Sequence, residues 1–277
     1  MPVFKKAVLV ISLLFFTTQV SARKFEIPKL SASFKVFGSA TERGLNPESF
    51  NVVIWNILKA KKRKFPREFK SFGVVDLFML QEVSLVPDFF KSFEAYPDHE
   101  VHFGASFSQR KWRKRVESGT AISSAVRPLD SGMMRTAQLE PFVKTPKVVT
   151  WMKLPFEGRE ESLLLVNIHG LNMTKNRDFR SQMQECKRLI EAHSGPVIFA
   201  GDFNTSDNEK YNDMISVIQK TGLVPVAFMN DERKRSRFSK LVIDHTFIRG
   251  MDVIGANVFH KLKASDHKAM GLRLSLK

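Results

Sequence analysis

The polar residues that follow apolar runs in this sequence are the ones able to do chemistry. Val52-Val53-Ile54-Trp55 leads to Asn56, and Leu77-Phe78-Met79-Leu80 leads to Gln81-Glu82. Leu163-Leu164-Leu165-Val166 runs into Asn167-Ile168-His169, and Val197-Ile198-Phe199-Ala200-Gly201 into Asp202-Phe203-Asn204. Strand alternation puts Asn167 with His169 on one face, and Asp202 with Asn204 likewise. Leu241-Val242-Ile243 ends in Asp244, and Ala264-Ser265 delivers Asp266-His267. A carboxylate at the mouth of an apolar strand must find a cation, a donor or water. Carboxylate and amide oxygens are hard ligands for a divalent ion, and imidazoles beside them could move protons. Each residue also has a simpler use: Asn56 or Asp202 as a turn former, Glu82 as a lysine's partner, His169 as a hydrogen-bonded core histidine. Residue types and spacing alone leave metal-dependent hydrolysis and purely structural roles both open.

Strands must position these groups. Short runs rich in Val, Ile, Leu and Phe predict strands over Phe50 to Ile57, Val74 to Gln81, Val101 to Phe107, Gly119 to Val126, Val148 to Leu154, Ser162 to His169, Pro196 to Phe203 and Leu241 to Ile248. A last pair is expected over Asp252 to Phe259 and Ala269 to Leu274. Phe179, Met183, Cys186 and Ile190 follow helical spacing, and Ser194-Gly195-Pro196 stops that helix. Shorter helices are expected at Pro66 to Phe72, Pro87 to Phe93 and Glu209 to Thr221. About ten strands and four helices do not alternate regularly enough for a barrel of β/α units, so a mixed α/β domain of two stacked sheets with helices outside fits better. Residues 23 to 49 read as an N-terminal extension without firm period, followed by one domain over residues 50 to 277.

The first 22 residues read as an export signal: Lys5 and Lys6, an apolar run from Ala7 to Phe16, and a small-x-small site ending at Ala22. That run falls short of the roughly 20 apolar residues needed to span a bilayer. The protein is therefore expected outside the cytoplasm, periplasmic or secreted. A single Cys186 excludes an intramolecular disulfide and the usual multi-thiolate zinc site. The net charge of +16 asks for an anionic partner. Three runs hold the excess: Lys59, Lys61, Lys62, Arg63 and Lys64; Arg110, Lys111, Arg113, Lys114 and Arg115; and Arg233, Lys234, Arg235, Arg237 and Lys240. With these and the two signal lysines set aside, the 44 cations fall to 27, against 28 anions. Trp112 and Phe238, inside two of the runs, could stack on bases or lie against acyl chains.

In this order, Trp-Asn, Gln-Glu, Ser-Gly-x-Ala-Ile-Ser, Asn-x-His, Gly-Asp-Phe-Asn, Ile-Asp and Ser-Asp-His resemble the endonuclease/exonuclease/phosphatase superfamily, the group around DNase I and exonuclease III. The closest resemblance is to its small exported or envelope-associated bacterial members. It runs from Asn51 to about Leu274, and Gly-Asp-Phe-Asn at 201 to 204 and Ser-Asp-His at 265 to 267 are its specific signals. The resemblance implies a four-layer α/β (α+β) sandwich of two mixed β-sheets flanked by helices. It implies that Glu82, helped by Asn56 and Asp266, holds Mg²⁺ or Mn²⁺. Asp202 and Asn204 would orient water and phosphate, with Asp202 a candidate base. His267, oriented by Asp244, and His169, beside a substrate-binding Asn167, would be the two imidazoles. Glu117 is a candidate partner for His169. His245 should point away from the site, and His99, His102, His193 and His260 are expected to be structural.

Each basic run adjoins a strand that carries a site residue, so all three are expected to border one cleft. Lys61, Lys62 and Arg63, then Arg113, Lys114 and Arg115, then Arg235 and Arg237 are the candidate substrate contacts, and a polyanion laid across them would bind with steep salt dependence. The favoured reading is an Mg²⁺-dependent phosphodiesterase acting as a nuclease on DNA or RNA, with little sequence specificity and as a monomer. Two rivals remain: a lipid or small-molecule phosphodiesterase or phosphatase at an anionic membrane surface, and a non-catalytic polyanion-binding protein. Phe89, Phe90 and Phe93 are candidates for membrane insertion under the lipid reading, against core packing of a short helix.

Overall fold

The computed structural model describes residues 25–277 apart from 112 and 113. The expected export signal and the candidate contact Arg113, with Trp112, lie outside the described residues. Period-two alternation builds the fold from the middle outward. In β3 (Phe50–Asn56), Val52 and Ile54 pack into one buried cluster while Val53 and Trp55 pack into another. A strand apolar on both faces must be covered on both, and that requires layers.

The first sheet has eight strands in the order β1 (Phe25–Glu26), β5 (Glu100–Lys111), β6 (Lys114–Ser124), β4 (Leu77–Ser84), β3, β14 (Ala269–Leu276) and β13 (Met251–Phe259), with β2 (Phe34–Gly38) also paired to β5. The second has six: β11 (Val224–Pro225), β12 (Asp244–Arg249), β10 (Val197–Asp202), β9 (Ser162–His169), β8 (Val148–Pro155) and β7 (Asp130–Arg135). Both are mixed, because β3 runs parallel to β4 and β9 parallel to β10 while the other pairs are antiparallel. Between the sheets, Val52, Ile54, Met79 and Ile122 meet Met152, Leu165, Ile198 and Ala200. Helices α1 (Phe65–Phe69) and α2 (Pro87–Phe93) cover the outer face of the first sheet, with Phe65, Phe69 and Phe89 against Trp55 and Phe78. Helices α3 (Asn176–Glu191) and α4 (Asn208–Lys220) cover the second, where Phe179, Met183, Cys186 and Ile190 pack on Leu164 and Phe199. This is the four-layer sandwich of two mixed sheets that the sequence led us to expect.

Several expected boundaries move. The extension before residue 50 contributes β1 and β2 to the first sheet, and β7 is a further strand not anticipated. Strands β5 and β6 pair as far as Lys111 and Lys114, so Arg110, Lys111, Lys114 and Arg115 lie at the far end of that pair and Glu117 lies within β6. Leu241 to Ile243 are not strand; Asp244 opens β12 instead of ending a strand. Phe89 is buried and Phe93 partly buried in the helical layer, so these two are used for packing; Phe90 is exposed. Among the described residues no helix is long and apolar enough to cross a membrane.

Candidate active site

Alternation continues along the inner face until the side chains turn polar, and that change makes the site. On β10, Ile198 and Ala200 face the sheet interface and Asp202 follows them. Strand pairing places His169 of β9 beside Asp202 on one flank and Asp244 of β12 on the other. Three adjacent strands thus bring His169, Asp202 and Asp244 into one row. Gly201 makes the row possible: its φ is +140°, and a Cβ there would stand 2.1 Å from the Ile168 carbonyl oxygen.

The first sheet supplies the opposing wall. Asn56 and Gln81 are neighbours in the β3–β4 pairing. The ladder between β4 and β6 then breaks between Leu80 and Val83, and Glu82 sits in that bulge at φ +49°. A bulge re-aims the side chain it carries. Glu82, half-buried, lines the cleft opposite His169, Asp202 and His267, and it makes no hydrogen bond or ion pair among the described residues. The Ser-Asp-His loop is pinned to the same wall: Ser265 Oγ donates to the Asn56 carbonyl at 2.6 Å, and Trp55 Nε1 donates to the His267 carbonyl at 3.1 Å.

Asp202 is the hub. Asn56 Nδ2 donates to its Oδ2 at 2.9 Å, and the Asn204 N–H donates to Oδ1 at 3.0 Å. His169 Nε2 and His267 Nε2 stand 3.8 and 3.7 Å from Oδ2. Asp244 accepts from His267 Nδ1, at 2.8 Å to Oδ2. Burial pushes the Asp202 carboxyl up to about 6, although His267 opposes the shift. Burial works against a charged His267, but Asp244 and Asp202 outweigh it and raise the imidazole to about 9. His169 goes the other way: burial first, then Lys147, His267 and Lys59, hold it well below the ordinary histidine value. One carboxylate therefore lies between a neutral imidazole and an imidazolium.

Asp202, Asp244 and His267 each offer a ligand atom within 4.8 Å of the others, a spacing that could enclose a cation. Their donors and acceptors are already spent on one another, whereas Glu82 is not. An unpartnered carboxylate on a bulge in a basic cleft is the better fit to a divalent ion. The rest of the expected metal set is occupied: Asn56 Oδ1 accepts from Leu58 N at 3.1 Å and its amide holds Asp202, while Asp266 is exposed and ion-paired with Lys234.

The cleft encloses about 510 Å³ and is lined also by Lys59, Lys147, Lys234, Arg235 and Arg237. Lys147 was not singled out from the sequence, because it follows Pro146 with no motif around it. Its Nζ stands 3.0 Å from His169 Nε2 and 3.3 Å from Glu140 Oε1.

Three expectations fail on geometry. Asn167 is fully buried and is not a substrate contact: its amide donates to the Leu80 and Ala121 carbonyls at 3.0 and 2.9 Å, and its Oδ1 accepts from Gln81 at 2.7 Å. It clasps the two sheets beneath the site. Glu117 pairs with Lys35 and not with His169. The basic runs converge only in part: Lys59 and the third run reach the cleft, but Lys62, Arg63 and Lys64 line a separate depression, and Arg115 pairs with Glu26 at 2.5 Å beside exposed Lys114. Lys61 is exposed and lines neither cavity. Outside the cleft, buried His245 bonds Val242 O and Thr205, His99 bonds Ser123 and Val75 O, His102 pairs with Glu100, and His193 bonds Ser162 O.

The model of the endonuclease/exonuclease/phosphatase family matches residues 53–267. A UPF0294 protein of Vibrio campbellii is 30% identical over 228 residues, covering 82% of this chain and 77% of that one. A solved endonuclease/exonuclease/phosphatase from Beutenbergia cavernae superposes with a TM-score of 0.64 at 19% identity, over 83% of this chain and 72% of that one. The human Nocturnin catalytic domain, solved with a bound sulfate anion, superposes with a TM-score of 0.60 at 17% identity, over 88% and 98%.

Proposed function

This chain belongs to the endonuclease/exonuclease/phosphatase family, and on that footing we propose that it is a divalent-metal-dependent phosphodiester hydrolase whose substrate is nucleic acid, cut with little regard to sequence. The observation that carries this reading is Asp202, set 3.7 and 3.8 Å from the two imidazoles of His267 and His169. Asp202 and His267 are both raised above their ordinary values, which suits the one to take a proton and the other to give one. Asp202, raised to about 6, is ionised near neutral pH yet basic enough to accept a proton. His267, raised to about 9, is the acid. His169 is too weakly basic for either task and serves, neutral, as a positioning group beside Lys147.

In the reaction the water oxygen forms a bond to phosphorus and its proton passes to Asp202. The ester oxygen departs with its electron pair and takes the proton of His267. Asp244 holds that imidazole in place, and Lys147, Arg235 and Arg237 offset the charge on the phosphate oxygens. Glu82 would hold the metal, with Asp266 once Lys234 is displaced, and the ion would supply polarisation of the phosphoryl oxygen. The segment 1–22, as an export signal, would put this activity outside the cytoplasm.

A second reading, a lipid phosphodiesterase, draws support from the apolar rim: Phe238 is 93% exposed and Met173 64%, and both line the cleft. Supercoiled DNA incubated with wild type and with Asp202→Ala, in Mg²⁺ and in EDTA, tests the proposal. Metal-dependent nicking by wild type alone is expected. No nicking by either protein overturns DNA as substrate, and the same pair is then compared on RNA and on sphingomyelin vesicles.

A further inference from the structure

The first basic run turns away from the cleft, and what it forms there is a site in its own right. Lys62, Arg63, Lys64 and Arg67 line a depression of about 580 Å³ together with Lys263, which arrives from the other end of the chain. All five residues are exposed, and none forms an ion pair among the described residues. Some other cations are neutralised: Arg180 has Asp213 and Glu209, Arg233 has Asp231, and Lys234 has Asp266. Glu68, next to Arg67 in sequence, is engaged by the Lys263 and Ala264 N–H groups at 2.8 and 2.7 Å. Five unneutralised cations in one concavity focus a positive field on it.

The depression is joined to the active site by both segments that build it. Lys62 Nζ donates to the Lys263 carbonyl at 3.1 Å, and two residues further on Ser265 holds the Asn56 carbonyl. Lys263 is four residues from His267, so its Cα lies within about 14 Å of that of the proposed acid, given at most ~3.6 Å per residue. Along one nucleic-acid strand that is roughly four phosphates at ~3.4 Å of axis each.

We propose that this depression is an accessory phosphate-binding site that grips the same polyanionic strand beyond the scissile bond. The proposal rests on the nucleic-acid reading above and adds a length requirement to it: a strand of about four nucleotides or more reaches both sites, and a shorter diester reaches only the cleft. The recognition is of backbone charge, without base contacts.

The test compares wild type with Lys64→Ser/Arg67→Ser/Lys263→Ser, three exposed positions outside the cleft, with matched melting temperatures as the folding control. Binding of a labelled 30-nucleotide strand is followed in EDTA across salt concentrations, and turnover is followed in Mg²⁺. Wild type is expected to bind at least about tenfold more tightly than the variant near physiological salt, and its log-log salt slope should be steeper by about two, since each single-strand contact contributes roughly 0.7. Turnover of bis(p-nitrophenyl) phosphate should be the same in both. Equal salt slopes and equal strand affinity overturn the site and leave the nuclease reading intact. Strand binding that depends on the three cations but is never followed by cleavage overturns the nuclease reading and leaves the site. Loss of binding to phosphatidylglycerol vesicles with strand binding unchanged overturns the proposal in favour of a membrane-facing patch.

Discussion

Lys147 Nζ stands 3.0 Å from His169 Nε2. An ammonium has no lone pair, so at this contact Nε2 accepts and the imidazole proton sits on Nδ1. The lysine therefore sets a tautomer as well as adding charge to the cleft. Lys147→Met should lower kcat/KM on a small phosphodiester by about 10²- to 10³-fold, the range for other single electrostatic contacts. It also removes a positive neighbour that holds His169 low, so the variant's His169 should protonate at higher pH. ¹⁵N NMR of the ring nitrogens checks both points; an Nε2–H signal in wild type would rule the assignment out.

The Asp244–His267 pair should be read through pH. Asp244→Asn preserves shape and removes the charge, so burial acts less opposed and His267 should fall from about 9 toward or below the ordinary ~6.5. Turnover should fall by about 10⁴-fold, the scale seen when a histidine loses its orienting carboxylate. The stability sign follows from the direction of the shift. A histidine raised in the fold stabilises fully below ~6.5, and that contribution is lost as pH rises through about 9. It amounts at most to about 3 kcal/mol at ~1.4 kcal/mol per pH unit. Urea midpoints should therefore drop between pH 6.5 and 9 in wild type and stay flatter in the variant.

Asn167 should matter for stability before it matters for chemistry. Asn167→Leu keeps the volume but leaves Gln81 Nε2 and the Leu80 and Ala121 carbonyls short of a partner. Buried groups in that state cost about 1–3 kcal/mol each, so a total loss of at least about 3 kcal/mol is expected in chemical denaturation. A variant as stable as wild type would show that the clasp is idle.

Glu82→Gln separates the two possible cation positions. If Glu82 is the principal ligand, Mn²⁺ should raise the Tm of wild type and have little effect on this variant, because a ligand stabilises only the state that binds it. A Tm rise that survives Glu82→Gln but disappears in Asp244→Asn would move the ion to the Asp202, Asp244 and His267 group.

Most of the site was legible because strands advertise their inner face: His169, Asp202 and Asp244 each adjoin an apolar run, and the pairing that aligns them follows from the sandwich. What could not be read depends on backbone irregularity or on distance in sequence. The bulge that frees Glu82 leaves no residue signature. Asn167 carries the motif pattern of a site residue, yet it lies one pleat deeper and is spent on the opposite sheet. Lys147 has no neighbours in sequence to announce it. The charge runs were visible, but composition carries no direction, so the turn that sends Lys62 to Lys64 away from Lys59 was not. At the edges, β2 and β7 are only partly buried and lack the apolar density that marks the inner strands.

Strand β14 pairs between β3 and β13, so the polypeptide returns from the second sheet to close the first only at its end. The loop entering that strand carries Asp266 and His267. A ribosome-bound chain that has already formed β3 to β12 would hold Asn56, Glu82, His169 and Asp202 but not His267. Under the proposed mechanism the acid is thus the last part of the site to be made, and a chain truncated before residue 265 should be inactive.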